Sequence, residues 1–347
     1  MTSSGDELKA GDAVRGSLEI DGQVLSLRVG ETVLEALERA GLEPASGCRS
    51  GSCCKCLLQG DNPPPESQKT LRPTLRQQGY FLACQARPTG QLVLQGTVRE
   101  TAAVATRVVR TEVLAPQVIR LILEPRSELD YFPGQYVDVL GPDGAGRSYS
   151  LASLPSDGVL ELHVRLIPGG RVSPWIHQLQ VGDEVSVRGP YGQCFYLEGE
   201  PQRSLLLVGA GTGLAPLLGI ARDALTHGHS GRIDLIQGGL RPDRLYLREE
   251  LANLAAEHAA LHVHACVLEG GSGSEHVGAL NQVALDIAGL LKQTRSYLCG
   301  DPALVANLRR SLFLAGAPSQ EILADAFTPA RPDPNLPSQA TTGDVVG

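Results

Sequence analysis

The spacing of apolar and polar positions changes character along the chain. Ser17 to Ile20 and Val24 to Val29 alternate with a period of two on either side of Asp21-Gly22, which predicts a hairpin across a favoured two-residue turn. From Val33 the period lengthens. Val33, Leu34 and Leu37 make a helical stripe, Thr32 and Glu35 have the spacing of a capping box, and Gly41 ends the helix. Residues 99–106, RETAAVAT, carry little core character and predict a short linker. Beyond them β-formers alternate or cluster between Gly/Pro turns at Val108 to Val113, Val118 to Leu123, Tyr136 to Leu140, Leu160 to Arg165 and Glu184 to Val187. That pattern predicts a small antiparallel barrel, with a helix at Pro174 to Leu179.

The last third alternates strand and helix. Ser204 to Val208 reads as a buried strand, Gly209 to Pro216 as a glycine turn and Leu217 to Leu225 as a helix, with later strands at Ile233 to Gln237, Leu261 to Val267 and Ser296 to Leu298. Such βα repeats predict a doubly wound parallel sheet. Ligands of these sheets bind beyond the carboxyl ends of the strands, where the glycine turn falls.

At 347 residues the chain is long enough for two or three domains, and 42% apolar with 20% charged residues can bury their cores. A net charge of −8 offers no basic footprint for nucleic acid and weighs against an anionic membrane surface. The start, MTSSGDELKAGD, lacks a signal-peptide core, and no run reaches the roughly 20 apolar residues of a membrane span, so a cytoplasmic protein is expected. In that compartment eight cysteines need a reason other than disulfides.

Five of the eight lie between Cys48 and Cys84. Cys48, Cys53 and Cys56 are spaced C-x4-C-x2-C and Cys84 follows after 27 further residues, the plant-type pattern for four thiolates on a [2Fe-2S] cluster. Tetrahedral zinc is the rival, but structural zinc sites usually show two short C-x2-C pairs and only one is present. Gly51 permits unusual torsions, and small Ser50 and Ser52 let amides turn toward sulfur. Cys54 is surplus and reads as an inert neighbour.

Arg147-Ser148-Tyr149-Ser150 places a cation, an aromatic ring and a hydroxyl along one strand, which suits the phosphate, ring face and N5 of a flavin. Pro133-Gly134-Gln135-Tyr136 precedes it, and Gly169-Gly170-Arg171-Val172-Ser173 follows, small enough ahead of a helix for amides to approach a pyrophosphate. Ordinary barrel turns are the alternative. Cys299, in Cys299-Gly300-Asp301-Pro302 at a strand tip, suits contact with a nicotinamide ring or a place in the core. His258, His262 and His264 read as structural, Cys194 and Cys266 as buried thiols, and Gly271 to Ser274 as a loop.

In this order, R-x-Y-S, GGxxS, GxGTGxAP and CGDP resemble the ferredoxin-NADP reductase superfamily over roughly residues 13–330. The N-terminal cluster motif narrows the resemblance to NADH-dependent electron-transfer components of multicomponent oxygenases. The resemblance implies a multidomain α+β and α/β fold: a β-grasp ferredoxin at 13–98, an antiparallel β-barrel FAD domain at 103–200 and a doubly wound parallel-sheet NAD(P) domain at 201–328. Residues 329–347, rich in Pro, Asp, Ser and Thr, are expected to be a disordered tail. Residues 1–98 hold 11 acidic and 10 basic side chains, so this ferredoxin lacks the acidity of one that diffuses to a basic reductase.

Carried over residue by residue, the resemblance gives Arg147, Tyr149 and Ser150 to the flavin, and Gly170, Val172 and Ser173 to the FAD pyrophosphate. Gly211, Thr212 and Gly213 go to the coenzyme phosphate, Cys299 with Gly300 to the nicotinamide, and Phe327 to the aromatic that covers the flavin. Cluster-first order accompanies FAD rather than FMN in this family. One departure concerns the coenzyme: GGLRPDRLYLREEL is one residue shorter than the family's R-x-x-x-D-L-Y stretch, with Arg244 near the usual Asp. Arg241 and Arg244 either meet a 2′-phosphate or are solvated helix-start charges; the resemblance favours NADH over NADPH. Electrons would pass from NAD(P)H to FAD to the cluster and on to a terminal oxygenase or hydroxylase. A deoxysugar dehydratase, a cytochrome, or a carrier or redox-sensor module without reductase activity are the alternatives.

Overall fold

The computed structural model describes residues 14–20, 22–42, 44–71, 75–76, 79–95 and 103–327. The chain divides into two units, residues 1–101 and 102–347. Half of the expected linker, 99–102, and the tail expected from 329 lie outside the described residues. Residues 104–106 are a correction: they open a strand, because Thr106 is buried and its hydroxyl donates to the Val185 carbonyl at 2.7 Å.

In the first unit β1 (Val14–Ile20) and β2 (Gln23–Arg28) form the expected hairpin, with Leu18 opposite Leu25. Helix α1 (Val33–Arg39) follows. β3 (Leu57–Asp61), β4 (Tyr80–Leu82) and β5 (Gln91–Gln95) complete a mixed sheet in the order β2-β1-β5-β3-β4, with β5 parallel to β1. Both halves of the capping box are made: the Glu35 amide donates to Thr32 Oγ1 at 3.2 Å and the Thr32 amide to Glu35 Oε2 at 2.8 Å. Val33, Leu34 and Leu37 then reach a core of Leu18, Leu27, Phe81 and Leu92.

The second unit starts with β6 (Val104–Ala115), β7 (Val118–Pro125), β8 (Tyr136–Leu140), β9 (Gly146–Ser150), β10 (Leu160–Arg165), α2 (Ser173–Ile176) and β11 (Glu184–Tyr191). The strands run antiparallel in the order β10-β7-β6-β11-β8-β9, and a bridge between Leu151 and Leu162 joins the two edges into the expected barrel. Helix α2 is shorter than Pro174 to Leu179. After Ile176 the amides of Gln178 and Leu179 donate three residues back, to Trp175 and Ile176, so the chain tightens before Gly182.

A parallel domain completes the unit: β12 (Ser204–Ala210), α3 (Leu214–Thr226), β13 (Ile233–Gly239), α4 (Arg248–Glu257), β14 (Leu261–Val267), β15 (His276–Val277), α5 (Leu280–Ile287), β16 (Thr294–Gly300), α6 (Pro302–Leu314) and β17 (Ile322–Ala326). The order β15-β14-β13-β12-β16-β17 reverses direction between β12 and β16, the switch point of a doubly wound sheet. Along β12, Leu205 and Leu207 pack with α3 on one face, while Leu206 and Val208 pack with α5 and α6 on the other. Helix α3 begins at Leu214 rather than Leu217, since Pro216 is tolerated in a first turn. Among the described residues no helix is long and apolar enough to cross a membrane.

Thr32→Ala removes the cap and is expected to cost about 1 kcal/mol. A lower thermal midpoint for loss of the visible cluster absorption would show it; an unchanged midpoint would mean the packed stripe alone holds α1.

Candidate functional site

In the first unit the thiols sit on the loop that leaves α1 and on the turn after β4. The first-turn amides of α1 fix that turn: Val33 donates to Ala86 O at 2.9 Å and Leu34 to Ala83 O at 3.1 Å. The Ala83 amide donates to Cys56 O at 2.9 Å, so Cys56 and Cys84 come together, both buried. Cys48 and Cys53 make the other pair, each amide donating to the other's sulfur at 3.4 Å. Ser50 N at 3.4 Å and Ser52 Oγ at 3.2 Å also donate to Cys48 Sγ, and Gln85 Nε2 to Cys84 Sγ at 3.4 Å.

The Cys53 hydrogen bond, with Ser50 and Ser52, outweighs burial and brings the Cys48 thiol down to about 3, while Cys53 is raised as its donor. The Cys56 hydrogen bond likewise lowers Cys84 to about 6 and raises Cys56. Among the described residues no three His, Cys, Asp or Glu side chains form a single-ion site. Two thiol pairs, ringed by amide and hydroxyl donors, are the donor set that a two-iron, thiolate-held cluster takes. The cradle is tight: a Cβ on Gly47 would stand 3.0 Å from Cys53 Sγ, and Gly51 has φ +81°. Cys54 takes a left-handed φ of 57° and is half-buried.

In the second unit β9 presents Arg147 and Tyr149 on one face and Ser150 on the other, as a period of two requires. Tyr149 packs on the barrel core, and burial pushes its phenol well up. Half-buried Arg147 donates to Gly146 O at 2.8 Å. Ser150 Oγ donates to Asp325 Oδ2 at 3.3 Å. On the turn before α2, Val172 is buried and Ser173 Oγ accepts from the Ile167 amide at 3.0 Å; a Cβ on Gly170 would stand 3.0 Å from Ile167 O.

Cys299 ends β16 fully buried, its sulfur 3.9 Å from that of Cys194, and burial followed by that contact raises its thiol far above the ordinary value. Its register partner on β17 is Asp325, whose carboxyl burial raises to about 6 against the Ser150 hydrogen bond. Phe327, half-buried, donates its amide to Gly300 O at 2.8 Å. Gly211 to Gly213 form a 3-10 turn between β12 and α3, half-exposed at Gly211 and Thr212 and buried at Gly213. So Ser150, Cys299, Gly300, the glycine turn and Phe327 meet around the tips of β12, β16 and β17.

Arg241 and Arg244 are exposed after β13. Glu269 stands 3.7 Å from Arg241 and Asp243 3.8 Å from Arg244. Sequence reasoning read Cys194 as a buried thiol, which it is, but missed its contact with Cys299 and missed Asp325 altogether. Their signals were faint: one carboxylate inside the apolar run Ile322-Leu323-Ala324-Asp325-Ala326, and a cysteine just after a turn.

The family model described as a 2Fe-2S iron-sulfur cluster binding domain matches residues 18–89. The one described as an oxidoreductase FAD-binding domain matches 106–196, and the one described as an oxidoreductase NAD-binding domain matches 207–310. The chain is 31% identical to the ferredoxin–NAD(P)+ reductase component of a naphthalene 1,2-dioxygenase system from Pseudomonas putida, over 90% of this chain and 98% of that protein. It is 35% identical to the ferredoxin–NAD+ reductase component of an alkene monooxygenase system from Xanthobacter autotrophicus, over 88% and 93%. The crystal structure of an Amycolatopsis cytochrome P450 reductase superposes with a TM-score of 0.69 at 30% identity, over 91% of this chain and 99% of that one.

Asp325 gives the site a pH signature. A carboxyl raised from the ordinary 3.8 to about 6 contributes stability that is complete below the unfolded value and lost as pH rises through 6, on the order of 3 kcal/mol. Between pH 4 and 7 the protein is therefore expected to lose stability that Asp325→Asn retains, read by denaturant unfolding at each pH. Parallel pH profiles for the two would refute the assignment.

Proposed function

Since the chain belongs to the family of ferredoxin–NAD(P)+ reductase components of oxygenase systems, we propose that it passes electrons from NADH through FAD and a [2Fe-2S] cluster to a terminal oxygenase or hydroxylase. The observation that carries this reading is the convergence of the glycine turn, Cys299, Ser150 and Asp325 at the strand tips, in a chain that also carries the paired thiols. Eight free cysteines suit a reducing compartment, which supports the cytoplasm.

When bound, the flavin accepts a two-electron hydride and the cluster moves single electrons, which is why one chain needs both. The chain's own residues bind and orient. Cys48, Cys53, Cys56 and Cys84 hold the irons, and the Ser50, Ser52, Cys53 and Gln85 donors stabilise the charge on their sulfurs. Arg147 meets FAD phosphate, Tyr149 backs the ring, and Gly170, Val172 and Ser173 shape the pyrophosphate turn. Gly211, Thr212 and Gly213 receive the coenzyme phosphate. Cys299 and Gly300 would lie against a bound nicotinamide, Ser150 would offer a hydroxyl to the flavin, and Phe327 would cover the flavin ring. These domains run at 13–98, 103–200 and 201–328.

Coenzyme choice follows from charge. Glu269 and Asp243 stand beside Arg241 and Arg244 and compete with a 2′-phosphate for those guanidinium groups. That favours NADH, with its free 2′-hydroxyl, at Arg241.

Anaerobic titration of the purified protein with NADH and NADPH tests the whole reading. Flavin and thiolate-to-iron bands should both be present and bleach together with NADH at lower concentration; a protein without flavin, or one bleached by neither coenzyme, ends it. Cys53→Ser should lose the cluster bands and one-electron transfer to a protein acceptor yet keep reduction of flavin by NADH. Arg147→Ala should retain at least several-fold less flavin through gel filtration, and equal occupancy would remove Arg147 from the phosphate.

A further inference from the structure

A buried polar chain crosses from the barrel to the glycine turn. On β7, Arg120 stands 2.9 Å through Nε from Glu161 Oε1 of β10, and its other nitrogens meet Glu112 at 3.0 Å and Glu250 of α4 at 2.6 Å. Glu161 Oε1 lies 3.0 Å from His163 Nε2. His163 Nδ1 lies 3.0 Å from the Tyr246 hydroxyl, which donates to the Gly211 carbonyl at 3.3 Å. His163 and Tyr246 are 3% and 2% exposed, so the contact between them is shielded from water.

Ionisation along the chain is settled by its neighbours. Burial alone would raise Glu161, but the His163 hydrogen bond and the charge of Arg120 beside it hold it below the ordinary value. Burial pushes the Tyr246 phenol far up, so its oxygen keeps the proton that Gly211 receives. With its own proton given to Gly211, the Tyr246 hydroxyl is left to accept from His163 Nδ1.

Tyr246 is held in place at both ends. Its carbonyl accepts from buried Gln237 Nε2 at 3.0 Å, and the next residue, Leu247, takes a left-handed φ of 58°. A non-glycine residue in that region is strained and persists only where its surroundings impose it. The strain turns Tyr246 inward at the head of α4.

The consequence falls on one peptide. In a trans peptide the carbonyl and the following amide point in opposite directions. Anchoring Gly211 O on Tyr246 therefore turns the Thr212 N–H the other way, and an amide so directed is what a glycine turn offers to an anion. We propose that His163 and Tyr246 are positioning residues for coenzyme binding, through which the flavin barrel sets the Gly211–Thr212 peptide of the phosphate turn. The inference rests on the reading of that turn as the coenzyme site.

Anaerobic stopped-flow reduction of the FAD-loaded holoenzyme over a range of NADH concentrations separates affinity from the limiting rate. Tyr246→Phe, which removes the hydroxyl alone, and His163→Ala are expected to weaken the apparent NADH Kd about two- to tenfold, the worth of one hydrogen bond, with flavin content kept and the limiting rate within about twofold. His163→Asn, whose amide reaches Tyr246 from the Nδ1 position, should recover most of the affinity. Wild-type NADH dependence in both Tyr246→Phe and His163→Ala overturns the positioning role, as does loss of flavin in His163→Ala with normal NADH dependence in the flavin that remains. A wild-type holoenzyme that neither coenzyme reduces instead refutes the coenzyme reading itself.

Discussion

The second unit is organised around the close approach of β12 and β16. A Cβ on Gly209 would stand 2.8 Å from the Cys299 carbonyl, and one on Gly213 only 2.4 Å, so no larger residue fits at either without backbone movement. That closeness is what brings a glycine turn and a strand-tip thiol to one place. From it the rest follows by register: β17 lies beside β16, Asp325 falls opposite Cys299, and Ser150 of the barrel finds the carboxyl. Phe327 is tied back by its amide to Gly300 at the same tip. The glycines are thus constraints on distance first, and places for a phosphate second.

How much of this was legible in the sequence depends on how local each cause is. The C-x4-C-x2-C run and the Thr32-Glu35 box are satisfied within a few residues, and the β1–β2 hairpin pairs Ile20 with Gln23, so each appears where its pattern places it. The βα alternation was equally readable, because Leu205 to Val208 are buried on both faces and apolar throughout. Strand β9 was recognisable through its chemistry alone: Gly-Arg-Ser-Tyr-Ser has little β propensity and is a strand because β8 pairs with it. The contacts that went unseen act across long separations. Ser150 and Asp325 are 175 apart, Cys194 and Cys299 105, and His163 and Tyr246 83. No window of local pattern contains both partners. Helix α2 failed for the opposite reason, since Pro174 to Leu179 has helical composition but ends in three-residue turns before Gly182.

The two units treat charge in opposite ways, and the difference matches the two kinds of electron they handle. Around Cys48 and Cys84 the chain aims amides, hydroxyls and a glutamine at sulfur, so negative charge on the thiols is welcomed. A cluster that changes its charge by one on every transfer needs such fixed dipoles, which respond to the added electron without rearranging. At the strand tips burial does the reverse, raising Cys299 and Asp325 toward their neutral forms. Burial of this kind keeps water from the strand tips and confines what ionises there near neutral pH to one group, the Asp325 carboxyl. The ion cluster of Arg120 with Glu112, Glu161 and Glu250 is tied to the glycine turn only at one remove, through His163, a phenol and a carbonyl. Charge is used there to fix position, at a distance from the peptide it holds.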